Sequence, residues 1–71
     1  MMPLTMIKLG ETRCIQKITC KEETRRRLEA LGFIAGETVT AITELSGNLI
    51  LNVKGARVAL NKALASSILV S

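Results

Sequence analysis

The sequence predicts a mainly β fold, a small antiparallel barrel of about five short strands, with one α-helix inserted after the first strand and a short helical turn before the last. Three observations carry this expectation. Two runs with strand character, ETVTAITEL at 37–45 and LILNV at 49–53, are bounded by the turn chemistry of Ser46-Gly47-Asn48 and Lys54-Gly55. Only one stretch, 20–31, has helical spacing of its apolar residues over several turns. Short antiparallel strands in a chain of 71 residues favour a barrel, because closure removes exposed edges.

The elements follow in chain order. PLTMIKLGE leads in, with Leu4 and Leu9 as expected anchors. Gly10 opens a strand at 11–18, ETRCIQKI, whose apolar Cys14, Ile15 and Ile18 do not share one parity. A bulge or strong twist near Ile15 reconciles them. Thr19 and Glu22 form a capping-box pattern ahead of a helix at 20–31, with Thr24, Leu28 and Leu31 on its inner face. The arginine run 25–27 reads first as a solvated helix face. Glu22 precedes Arg26 and Glu23 precedes Arg27 by four residues, each pair contributing roughly 0.2–0.5 kcal/mol, and Arg25 with Glu29 makes a third in the weaker order.

Gly32 stands where a left-handed C-cap is wanted, and Phe33 is then placed to fold back on Leu28. Gly36 falls in a turn before the strand at 37–45. Gly47 sits in the next turn, and LILNV alternates Leu49, Leu51 and Val53 on one side. Lys54-Gly55 is a two-residue hairpin turn, so Gly32, Gly36, Gly47 and Gly55 are the expected structural turn positions. ARVAL returns as a strand, NKALASS makes a helical turn, and ILV at 68–70 is the last strand. One turn of helix before a final strand is the habit of SH3-like barrels.

Composition narrows the function. Hydrophobic residues make up 48% of the chain, yet Phe33 is the only aromatic, so the core is aliphatic. Mean hydropathy is +0.33, more apolar surface than one small domain readily buries, and a leftover patch would mark a partner site or allow weak self-association. The net charge of +4 permits acidic partners or nucleic acid but selects neither. Binding of single-stranded nucleic acid is the alternative reading, disfavoured because such sites stack bases on aromatic side chains and only Phe33 is present. With no His and no Asp the chain lacks an evident general base, and its Ser and Cys residues lack an activating partner, so it is not expected to be an enzyme. Cys14 and Cys20 are not a C-x-x-C pair; Cys14 is expected in the core and Cys20 in the first helical turn, with no metal site and no cofactor. No signal peptide and no membrane-length apolar run is evident, so the expected location is cytoplasmic with both thiols reduced.

Three segments taken together resemble a known family. RRRLEALGFIAGETV is similar to the pattern R-L-x-x-L-G-[LF]-x-x-G-x-x-V, GNLILNVKGARVAL to a central hairpin ending in Ala-Leu, and ALNKALASSILV to a closing turn and strand. This resembles the FeoA family, small cytosolic proteins that accompany the bacterial ferrous iron transporter FeoB, and the resemblance runs from Leu4 to Val70 within a single domain, 1–71. It implies an SH3-like barrel and a non-catalytic accessory protein docking on the cytosolic side of a FeoB-type membrane iron transporter, with membrane contact only through that partner and no nucleic acid. Some family members are described as transition-metal binders; the absence of His and Asp here departs from that. The expected partner-binding residues are Arg25, Arg26, Phe33, Ile34 and Ala35.

Overall fold

The computed structural model describes all 71 residues, Met1–Ser71. Its elements are β1 (Met2–Pro3), a 3₁₀ turn (Leu4–Met6), β2 (Thr12–Ile18), α1 (Glu22–Ala30), β3 (Thr38–Leu45), β4 (Asn48–Val53), β5 (Ala56–Asn61), α2 (Lys62–Ser66) and β6 (Ile68–Val70). All six strands pair antiparallel, in the order β1-β6-β2-β3-β4-β5, as a small SH3-like barrel. The helix follows the long first barrel strand and the short helix precedes the last, as the sequence predicts. The sixth strand, β1, is two residues of the lead-in segment laid against β6.

β2 is the hinge of the sheet. Its first half pairs with β3, Thr12 opposite Thr40 and Cys14 opposite Thr38, and its second half pairs with β6, Ile15 opposite Val70 and Ile18 opposite Ile68. The β6 register shifts between Ile15 and Lys17, the irregularity that the mixed parity of β2 requires. A second shift between Ala41 and Thr43 bends β3 against β4. Both meandering hairpins turn on two residues of positive φ, Ser46-Gly47 (52° and 80°) and Lys54-Gly55 (51° and 76°), the geometry that matches the right-handed twist of the strands they join.

The core holds 14 aliphatic and aromatic side chains and no polar one. β4 supplies Leu49, Leu51 and Val53 at alternate positions, and Phe33, Leu4, Ile15 and Leu28 are its largest fully buried members. α2 starts at Asn61, whose side-chain oxygen accepts from the Leu64 N–H at 2.8 Å, an N-cap that fixes the last crossing.

Five sequence expectations are corrected. Leu9 is 55% exposed, and Ile7 is the second anchor beside Leu4. The Ile7 N–H donates to the Leu4 oxygen at 3.3 Å, and three residues per 3₁₀ turn bring those two side chains to one side. Thr19 does not cap α1. Its hydroxyl donates to the Ser67 carbonyl at 3.0 Å, and the helix starts behind Lys21, which has no side-chain cap bond. Leu31, expected inside, is exposed at the C-cap. Cys14 is half-buried rather than part of the core, and Cys20 precedes the helix instead of opening its first turn, packing partly buried against the core.

Candidate docking surface

The helix α1 buries only Leu28 among its nine residues. Thr24 is half-buried, and the other seven face solvent. Its stability therefore comes from its ends and its charges more than from burial. Glu22 and Glu23 in the first turn and Arg27 in the last complement the helix dipole. Glu22 Oε1 lies 3.5 Å from Arg26 and 3.6 Å from Arg25, and Glu23 lies 3.6 Å from Arg27. The expected Arg25–Glu29 pair is replaced by Arg25–Glu22, since the i,i+3 and i,i+4 spacings bring both guanidiniums to one carboxylate. One carboxylate thus answers two guanidiniums, while the helix as a whole balances three Glu against three Arg.

The C-terminus of α1 closes as a Schellman motif. The Phe33 N–H donates to the Leu28 oxygen and the Gly32 N–H to the Glu29 oxygen, each at 3.0 Å, with Gly32 at φ 110°. This reversal drives Phe33 fully into the core and leaves Leu31 outside, 47% exposed. A side chain at Gly32 would meet Val53 Cγ2 at 3.5 Å and the Lys54 stem at 3.6 Å, ordinary contacts, so the demand for glycine there is one of φ and not of space.

A second turn follows at once. The Glu37 N–H donates to the Ile34 oxygen at 3.1 Å with Gly36 at φ 93°, the arrangement of a type II turn with Ala35 at its exposed tip. The turn is clamped to β2: Gly36 N–H to the Ile15 oxygen and Ile15 N–H to the Glu37 oxygen, both at 2.8 Å. Glu37 also reaches Lys54 Nζ at 3.9 Å, tying the junction to the β4–β5 turn. The stretch 32–37 is thus a rigid joint that holds α1 at a set angle to the sheet.

The structure sorts the expected partner residues. Arg25 and Arg26 are exposed on α1, Ala35 is exposed on the turn, and Ile34 is half-buried beside it. Phe33 is 0% exposed and presents nothing to a partner, a correction that follows from the Schellman reversal. Leu31 takes its place at the surface. Its signal in the sequence was the position directly before Gly32, at the C-cap, where a side chain faces outward once the chain reverses.

Away from this surface, Glu11 and Arg13 tie the lead-in segment and the C-terminus to β2. Arg13 donates to Glu11 Oε2 at 2.9 Å and to the Ser71 oxygen at 2.8 Å, and the Lys8 N–H donates to Glu11 Oε1 at 3.0 Å. The Arg13 hydrogen bond, helped by the Lys8 N–H, holds the Glu11 carboxyl below the usual carboxylate range. No three His, Cys, Asp or Glu side chains come together, and no pocket opens into the fold. No helix is long and apolar enough to cross a membrane.

Comparison with known proteins bears on the family and the fold. The family model described as FeoA domain matches residues 2–71. A crystal structure of an iron uptake regulatory protein (FeoA) superposes with a TM-score of 0.89 at 28% identity, over 99% of this chain and 93% of that one. Stenotrophomonas maltophilia FeoA complexed with zinc, described as a prokaryotic SH3 domain protein and a candidate bacterial ferrous iron transport activating factor, gives 0.88 at 25%, over 100% and 91%. The solution structure of iron(II) transport protein A from Clostridium thermocellum gives 0.92 at 21%, over 99% of this chain and 44% of that one. No curated protein matches significantly.

Proposed function

The chain belongs to the FeoA family, which is linked to ferrous iron transport, and from that premise we propose that it is a non-catalytic cytoplasmic accessory protein that docks on the cytosolic side of a FeoB-type transporter. The docking surface is the outer face of α1 together with the exposed Leu31 and Ala35 of the junction that follows it. One observation carries this choice of surface: α1 commits a single side chain, Leu28, to the core, so the rest of the helix is free for a partner. The exposed Leu31 and Ala35 supply apolar contact beside Arg25 and Arg26. Rim charges of this kind set association rate and salt dependence, and the apolar residues set affinity. The burial of the only aromatic removes the stacking residue that single-stranded nucleic acid would require.

The test is interferometry against the transporter's cytosolic domain and the intact transporter. Arg25→Glu with Arg26→Glu weakens binding and flattens its salt dependence, while Leu31→Asp weakens it at every salt concentration; circular dichroism controls for folding. If folded variants of both kinds bind and support iron uptake like the parent, the surface lies elsewhere.

A further inference from the structure

The two ends of the strand order are guarded unequally. β1 is two residues long and contains Pro3, which offers no N–H, so that edge is a poor template for another strand. β5 is six residues long, without proline, and its ladder to β4 is regular from Ala56 to Asn61. The β4–β5 hairpin turns on two residues, so Val53 and Ala56 close it as a hydrogen-bonded pair. Alternation then makes Leu51–Val58 and Leu49–Leu60 the other bonded pairs. Arg57 and Ala59 fall between them and direct their N–H and C=O groups away from β4. No strand lies on that side, and no backbone bond from a loop reaches either residue. Ala59 is exposed and small, so nothing on its own side chain shields the edge.

We propose that β5 is a strand-addition edge that takes an extended acidic segment of a partner protein, its backbone pairing with Arg57 and Ala59. The charge pattern selects the occupant. β5 contains no carboxylate, and the lysines beyond its two ends, Lys54 and Lys62, pair with Glu37 at 3.9 Å and Glu44 at 3.4 Å, which leaves Arg57, with no ion-pair partner, as the unanswered charge of the edge. Thr12, Thr40, Asn52 and Arg57 are register neighbours across β2, β3, β4 and β5, so an added strand continues this uncharged row beyond its one cation. A carboxylate opposite Arg57 is a favourable cross-strand pair. A second copy of this chain would instead bring another +4 protein and another bare arginine to the same edge. The edge is separate from the surface of α1, and this inference does not depend on the docking proposed above.

The probe is a capped eight-residue peptide of alternating Thr and Glu, with alternating Thr and Lys as its counterpart, titrated into isotope-labelled protein. The acidic peptide shifts the Arg57 and Ala59 amide resonances and slows their hydrogen exchange at least tenfold, and the basic peptide does neither. Ala59→Pro removes an outward N–H without touching the β4 ladder and abolishes the effect. Arg57→Glu reverses the peptide preference, which keeps the test decisive if Ala59→Pro folds poorly. Equal response to both peptides, shifts confined to other elements, a folded Ala59→Pro that binds like the parent, or sedimentation showing that a second copy occupies the edge would overturn the proposal.

Discussion

β4 and α1 are held by different physics. β4 has ladders on both sides and buries three of its six side chains, Leu49, Leu51 and Val53, in strict alternation. α1 has nine residues, buries one, and relies on a Schellman closure and on ion pairs of 3.5–3.6 Å between exposed groups. Exposed pairs of that kind contribute about 0.2–1 kcal/mol each at best and fade with salt. Stability is thus concentrated in the meander, and the helix is an attached element whose local opening should precede global unfolding.

The contrast breaks hardest in β4. Leu51→Ala leaves a void among fully buried neighbours and should cost about 2–5 kcal/mol, read as a fall in Tm or in the midpoint of urea denaturation. A loss below 1 kcal/mol would mean that the meander does not carry the fold. At the junction, Gly32→Val forces a β-branched residue to φ 110° and should cost more than about 1 kcal/mol, with exchange of the α1 amides rising first. Unchanged thermal stability would show that the α1 closure is dispensable.

The two helix starts sharpen the comparison with opposite signs. Asn61→Ala removes the cap of α2 and should destabilise by about 1 kcal/mol, whereas Lys21→Ser supplies the cap α1 lacks and should stabilise it by up to that amount. Chemical denaturation of both variants checks the pair; effects of the same sign would contradict it. The smallest effect belongs to Glu11. Its folded pKa is lowered, so its contribution is fully present above the ordinary glutamate value of about 4.3 and is lost as the pH falls through the lowered folded value. Glu11→Gln should therefore remove part of the acid-side decline in Tm while leaving the slope above neutrality unchanged.

What the sequence made legible were features encoded within a few residues. The hairpin turns at Ser46-Gly47 and Lys54-Gly55, the alternation of β4 and the bulge demanded by Ile15 each rest on local pattern. What it hid depended on distant partners. β1 exists only because β6 is beside it, and two residues carry no period. The Thr19 hydroxyl is engaged by a carbonyl 48 residues away, which no capping pattern reveals. Phe33 and Leu31 exchanged roles for a geometric reason: once Gly32 reverses the chain, the residue after it turns inward and the residue before it is left outside. On the candidate surface, Arg25, Arg26 and Ala35 were therefore readable as exposed, and the fate of the two large apolar residues was not.

The two anchors of the helical insertion have an evolutionary consequence. At its start the Thr19 N–H is bound to the Ser67 oxygen at 2.7 Å, and at its end the Gly36 N–H is bound to the Ile15 oxygen at 2.8 Å. The chain leaves and rejoins the same neighbourhood of β2, so the barrel registers the insertion as a closed loop with fixed ends. For the unfolded chain, closing a longer flexible loop between the same ends costs only about 0.6 kcal/mol more for each doubling of its length. Helix length, charge and apolar tip can then drift among descendants to follow a changing partner while the strand registers stay as they are. The same scaffold is in this sense a socket with an exchangeable key.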